Sequence, residues 1–141
     1  MKKYLQLLTC TALVFTVTSP NLVAAELTVE VNKIQHLQGS LYISLYKDAQ
    51  CFDSNNNAVK REKISVDKTS QQIKLGDVPA GDYALRVYQD VNDNGKMDFN
   101  GMLPAEPFGS SSKSTELAPP SFNDAKFTLD KSQKVQIQLL K

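Results

Sequence analysis

The stretch GDVPAGDYALRV, residues 76–87, decides the fold of this chain. Pro79 and Gly81 reverse the chain, and Tyr83 then opens a run of alternating side chains that is typical of a β-strand. In β-sandwiches a tyrosine at such a corner bonds through its hydroxyl to nearby backbone. The segment therefore predicts a structural corner at the start of a central strand.

Similar short runs of alternating apolar and polar residues lie on both sides of this strand. The expected strands are residues 27–32, 41–46, 63–66, 72–75, 83–88, 125–129 and 134–139. Seven short strands without a convincing helix predict an all-β fold, a seven-stranded antiparallel Greek-key β-sandwich of immunoglobulin type. The corner at residues 78–83 resembles that of transthyretin-like and carboxypeptidase-regulatory-like sandwiches. The first two strands flank a turn at Gly39 and are expected to pair as a hairpin.

Residues 99–121 are rich in glycine, proline and serine, and they separate the fifth expected strand from the sixth. They predict one long loop. Loops of more than about 15 residues inside compact domains are usually functional or disordered, so we expect any activity to lie here.

The N-terminus has the order of a secretory signal. Lys2 and Lys3 precede a mostly apolar run, residues 5–17, which is shorter than the roughly 20 residues that span a bilayer. We expect a signal peptide over residues 1–25, cleaved after Ala25, and a single domain over residues 26–141 in the periplasm or outside the cell, with no stable membrane span. A lipoprotein signal at Cys10 and an uncleaved anchor are the alternatives.

The charge balance excludes a nucleic-acid partner. The chain has 16 basic and 15 acidic residues, and removal of Lys2 and Lys3 leaves 14 basic residues, a net charge of −1. The basic residues are scattered, whereas a nucleic-acid-binding face would cluster them.

The chain has few of the side chains that enzymes use in catalysis. His36 is the single histidine and lies in an expected turn, and no histidine follows the serines at 110–112 to act as their base. We therefore expect no enzymatic activity. Cys51 is the single cysteine left after cleavage, and we expect its thiol to be buried beside Phe52 and unreactive.

The sharpest local signal is DVNDNGKMD, residues 90–98. Oxygen-bearing side chains stand at positions 1, 3, 5 and 9 of this loop and Gly95 at position 6, which is the ligand spacing of a calcium-binding loop. Position 12, a glutamate in EF-hands, is Gly101 here, so Glu106 or a water molecule is expected to complete the ligand shell. The predicted calcium ligands are Asp90, Asn92, Asn94, the carbonyl of Lys96, Asp98 and Glu106.

Two alternatives to calcium remain for this loop. Asn94-Gly95 is a strong hairpin-turn signal, so the loop is also compatible with a solvated turn that holds no ion. A different hard cation is the other alternative.

Several segments together resemble one known family. They are the Gly39 turn with strand 41–46, the corner at 79–84, the loop at 90–98, PAEPFG at 104–109 and PSFNDA at 120–125. With the signal peptide, they resemble the secreted bacterial family called domain of unknown function 2141. The resemblance implies a transthyretin-like, carboxypeptidase-regulatory-like sandwich in the cell envelope, and it implies no established activity.

The sequence therefore predicts a non-enzymatic envelope module with a binding or structural role. Its calcium-organised loop is expected to dock an unidentified envelope protein or a glycan. The alternatives are an enzyme or enzyme inhibitor that uses residues 90–106, where Asp98 and Glu106 could form a carboxylate pair, and a plain β-sandwich without an ion.

Overall fold

The computed structural model describes residues 24–114 and 116–141. The predicted signal peptide lies almost wholly outside these residues, as does Cys10. The strands and helices, in chain order, are β1 (Ala24–Asn32), β2 (Ser40–Tyr46), α1 (Ala49–Asp53), β3 (Lys60–Ser65), β4 (Gln71–Pro79), β5 (Gly81–Asp90), β6 (Phe99–Asn100), β7 (Leu103–Pro104), β8 (Phe108–Ser110), α2 (Phe122–Ala125), β9 (Phe127–Leu129) and β10 (Gln133–Gln138).

The strands form two main sheets, neither of them closed. One has the order β10-β1-β4, and the other has the order β3-β2-β5-β8 with β9 also paired to β5. Strands β6 and β7 form a separate two-stranded hairpin. All these pairings are antiparallel except that of β1 with β10, which is parallel.

The main core is built from alternate residues of both sheets. In β1, Leu27, Val29 and Val31 are fully buried, and they share one apolar cluster with residues of β2 and β5 such as Ile43 and Leu85. This alternation is the period-2 pattern of strands with one buried face. The local sequence pattern therefore fixes which strand face enters the core.

A second, smaller core lies on the opposite face of the β2–β5 sheet, under the two helices. Phe52 of α1 packs edge-on against Tyr46 and Phe122, with ring centroids 5.5 and 5.9 Å away. Ala84 and Ala125 complete this buried cluster. The helices thus cover one end of the outer sheet face and leave the rest of that face open.

The predicted corner is present between β4 and β5. The hydroxyl of Tyr83 donates to the carbonyl oxygen of Pro79 at 2.9 Å, and the ring is 2% exposed. Burial raises the pKa of this hydroxyl. The tyrosine therefore ties the turn to the start of the central strand.

The structure corrects four features of the predicted fold. It contains ten strands rather than seven, because three short strands form inside the predicted long loop at 99–121. It contains two short helices where none was expected. The first two strands do not form a hairpin, since β1 pairs with β4 and β10 while β2 pairs with β3 and β5. The parallel β1–β10 ladder also departs from a purely antiparallel fold.

Both helices are capped by residues that a sequence can reveal. Asp48 accepts the amide of Cys51 at the start of α1, and Ser121 and Asp124 form a reciprocal capping box on α2. Each helix is about one turn long, so its apolar pattern is too brief to show a helical period. Among the described residues, no helix has the length and apolar character to cross a membrane.

Candidate functional site: the acidic loop after the central strand

Asp90, the last residue of β5, organises the loop that follows it. Its side chain is fully buried and accepts the backbone amides of Asn94 and Gly95, at 3.0 and 2.7 Å. Asp93 and Gly95 have positive φ angles, 59° and 83°, a conformation that asparagine, aspartate and glycine tolerate best. The chain therefore curls around the Asp90 carboxylate.

Asn92, Asn94 and Asp98 converge at the open side of the loop. The side-chain amides of the two asparagines donate to Asp98 Oδ2 at 2.7 and 2.9 Å. These hydrogen bonds, with Asn92 contributing most, hold the pKa of Asp98 below its ordinary value. Three of the predicted ligands are thus in mutual contact.

Glu106 closes the loop from the other end. The residue is 5% exposed, and its carboxylate accepts the amide of Val91 at 2.8 Å and that of Asp98 at 3.3 Å. The amide of Ala105 in turn donates to the carbonyl oxygen of Asp98 at 2.8 Å. Glu106 therefore lies at the acidic loop, as its predicted role requires.

The carboxylates of Asp90 and Glu106 place two negative charges in a buried environment at the loop. Within residues 24–114 and 116–141, neither Asp90 nor Glu106 forms an ion pair. The neighbouring Tyr88 has its pKa raised to about 12, chiefly by burial and further by Tyr42, Asp90 and Glu106. Backbone amides satisfy the two carboxylates, but they carry no full positive charge.

The side chains of the loop do not form a complete metal centre in the part of the chain that the structure describes. No three His, Cys, Asp or Glu side chains among these described residues form a group that could hold a metal ion. Asn92 and Asn94 turn nitrogen rather than oxygen toward Asp98. Lys96 is placed in the loop by its amide, which donates to Asn94 Oδ1 at 3.0 Å.

Sequence patterns miss three residues near the loop: Ser40 and Lys63 hold it to the sheet, and Gln89 holds the turn at residues 36–38 to β5. Gln89 is fully buried, and its side-chain amide donates to the carbonyls of His36 and Gln38 at 2.6 and 2.8 Å. Ser40 donates to Asp93 Oδ1 at 2.9 Å, and Lys63 forms an ion pair with Asp93 at 3.4 Å. These partners are far apart in sequence, so no local pattern indicates them.

Cys51 is half-buried rather than fully buried, which corrects one expectation. It lies in α1, where Asp48, and to a lesser degree burial, raises the pKa of the thiol. Because the thiolate is the reactive form, the neighbouring carboxylate disfavours reaction. Its low reactivity therefore remains a prediction, with Asp48 rather than complete burial as the main reason.

The fold and the site together define a class: a mostly β protein whose central strand runs into an acidic loop rich in asparagine and glycine. The family model DUF2141, described as an uncharacterised protein conserved in bacteria, matches residues 29–138, from β1 to β10. The chain therefore belongs to the DUF2141 family, and the resemblance seen in the sequence is confirmed. No curated protein and no solved structure matches it significantly.

Proposed function

We propose that this protein is a non-enzymatic, secreted envelope module whose acidic loop is organised by a calcium ion and docks an envelope protein or a glycan. The signal peptide over residues 1–25 and the mature domain over residues 26–141 belong to the same proposal. So does the finer topology, a Greek-key sandwich of transthyretin type.

The observation that carries the calcium proposal is the pair of buried carboxylates of Asp90 and Glu106, which lack a cationic side-chain partner among the described residues. Burial of an unpaired charge is costly, and a bound cation offsets that cost. Calcium takes six to eight oxygen ligands in flexible geometry, which suits a loop of carboxylates, asparagine side chains and a carbonyl.

The ligands would act together with the existing hydrogen bonds. Asp90 keeps the turn closed through the amides of Asn94 and Gly95, and Glu106 holds the two ends of the loop together. Asp98, Asn92, Asn94 and the Lys96 carbonyl supply further oxygens. A calcium ion would relieve the repulsion between the carboxylates and fix the loop as a docking surface.

The proposal is tested by the melting temperature of residues 26–141 in calcium and in chelator. With a dissociation constant of about 10⁻⁴ M, as in extracellular modules, about 1 mM calcium adds roughly 1.4 kcal/mol of stability. For a domain of this size the melting temperature should rise by about 4–8 °C.

Two variants test whether the calcium-dependent rise in melting temperature arises at the loop. Asp98→Asn keeps the side-chain shape and removes one charged ligand, so it should abolish the calcium-dependent rise. Asp130→Asn removes the same charge from the exposed turn between β9 and β10 and should preserve it. An unchanged wild-type melting temperature would show that the loop is a polar turn without an ion.

A further inference from the structure

The open part of the outer sheet face carries two ordered rows of side chains. Strand register pairs β3 with β2, β2 with β5 and β5 with β8, so that directly opposed residues lie on the same face. One row is Arg61, Ser44, Arg86 and Ser110, and the next is Lys63, Tyr42, Tyr88 and Phe108. The face is therefore basic and aromatic.

The second row is held in place by aromatic stacking. The rings of Tyr42 and Tyr88 stack with a centroid distance of 4.9 Å and an angle of 4°. Lys63 Nζ lies 5.2 Å from the centre of the Tyr42 ring. These contacts make a rigid platform beside Arg86.

A cavity of about 370 Å³ lies against this platform. Its walls are mainly apolar, and its polar lining includes Arg86, Tyr88 and Ser110. The apolar walls are Met97, Phe99, Pro104, Phe108, Pro119 and Pro120. This volume is at the small end of the range of about 300–1,000 Å³ for small-molecule sites.

Arg86 is the only basic side chain that lines the cavity among the described residues. Its Nε is buried without a hydrogen-bond partner, and it takes part in no ion pair. The guanidinium carbon lies 4.1 Å from the centre of the Phe52 ring, which fixes the group from the side of α1. A partly buried guanidinium with an unpartnered Nε is an energetic cost, and an anionic ligand that bonds the group would reduce that cost.

The cavity is lined in part by an apolar residue that is exposed to water and that a ligand could cover. Phe99 lines it, yet 63% of this residue's surface remains in contact with water. Asn55 also lines the cavity, and its side chain accepts a hydrogen bond from the hydroxyl of Tyr46. A ligand in this cavity would therefore cover exposed apolar surface of Phe99 beside Arg86.

We propose that this cavity binds a small organic carboxylate with an aromatic or apolar body. The carboxylate accepts hydrogen bonds from the Arg86 guanidinium, and the body lies against Phe99, Phe108 and the two prolines. This site lies outside the predicted calcium ligands, so it goes beyond the proposed function and does not depend on it.

The test compares two probes of the same shape and different charge, benzoate and benzamide. Their affinities for residues 26–141 are measured by NMR titration of the ¹⁵N-labelled chain, in calcium and in chelator. Benzoate should bind at least about tenfold more tightly, the difference expected for one charge-assisted hydrogen bond. Its shifts should centre on Arg86, Tyr88 and Phe108. If calcium binding fails while benzoate binds, only the calcium proposal is lost.

Variants test whether the preference for the charged probe depends on Arg86. Arg86→Gln should weaken benzoate by at least about tenfold, and Arg86→Lys, which keeps the charge without the planar fork, should weaken it less. Arg61→Gln removes the other arginine, in the same row but outside the cavity lining, and should change affinity by less than about twofold because the charge there is exposed and screened.

Three results would overturn the proposal. They are equal affinity for benzoate and benzamide, no binding of either probe, and equal weakening by Arg61→Gln and Arg86→Gln. If Arg86→Gln fails to fold, the two-probe comparison on the wild type and on Arg86→Lys still decides the question.

Discussion

Gly39 shows how one residue couples the sheet to the acidic loop. It has a φ of +72°, and a Cβ atom there would lie 2.0 Å from the carbonyl oxygen of Asp90. No side chain fits this approach without moving the start of the loop. The sequence suggests a turn at Gly39, but the contact with Asp90 depends on the pairing of β2 with β5.

Gly39→Ala should therefore destabilise the fold more than Gly101→Ala. Gly101 also has a positive φ, +65°, but open space around it, so its replacement should cost only the left-handed backbone penalty of roughly 1–2 kcal/mol. At Gly39 the clash should add a further roughly 1–3 kcal/mol. Urea unfolding of both variants measures the difference, and equal losses would contradict the close approach.

The depressed pKa of Asp98 predicts how its contribution to stability varies with pH. Its pKa in the folded chain is depressed from the ordinary 3.8, first by Asn92 and then by Asn94. A depressed pKa means that its stabilising contribution is complete above the unfolded value and is lost as the pH falls through the folded value. The contribution should thus be complete above pH 3.8, decline below it, and disappear as the pH falls through the lower pKa of the folded chain.

The pKa of Asp98 can be read by carbon NMR of its carboxyl group, in chelator. Asn92→Ala should move the midpoint upward, toward the ordinary value, because it removes the largest cause of the shift. Asn123→Ala, on the exposed side of α2, should leave it unchanged. A wild-type midpoint at or above 3.8 would mean that the two asparagines do not contact the carboxylate in solution.

At the scale of elements, the major strands were predictable because their alternation is a local property. The short strands β6, β7 and β8 were not, because long-range contacts hold them. Gly109 in β8, for example, lies so close to β10 that a Cβ atom would meet the carbonyl oxygen of Gln138 at 2.5 Å. The cap residues of α2 were visible in the sequence, but the helix exists because Phe122 and Ala125 are buried.

The helices should contribute stability through Phe52. This side chain is fully buried between Tyr46 and Phe122. Phe52→Ala should cost about 3–5 kcal/mol, the usual loss for a buried phenylalanine. Phe99→Ala, at a residue that is 63% exposed, should change stability by no more than about 0.5 kcal/mol. Thermal unfolding compares them, and similar losses would show that the second core contributes little.

In the whole molecule, some contacts of the candidate site join residues that are close in sequence, and others join residues from distant segments. Asp90 holds the amides four and five residues onward, so the spacing of DVNDNG was enough to predict the turn. Glu106 was predicted only as the nearest acidic residue beyond the loop, and the fold brings it to the amides of Val91 and Asp98. The roles of Gln89 and Arg86 needed the complete sheet, because their surroundings come from distant segments.

The predicted cleavage after Ala25 also concerns the whole chain. Ala24 and Ala25 form the first two residues of β1, opposite Pro79 and Val78, so cleavage shortens that strand by two residues. The new amino group at Glu26 would lie at the position where its amide now meets the Ser132 hydroxyl at 3.0 Å. Intact-mass measurement of the exported protein should give a chain that begins at Glu26. A lipid-modified chain beginning at Cys10 would contradict this prediction.

Calcium binding by the acidic loop is tested by a calcium titration of residues 26–141 followed by amide NMR. Binding in the loop should produce saturable shifts at the amides that contact its carboxylates, those of Val91, Asn94, Gly95 and Asp98. The amides of the distant turn at 130–132 should not move. If millimolar calcium leaves the loop amides unshifted while the protein is folded, the acidic loop does not bind calcium.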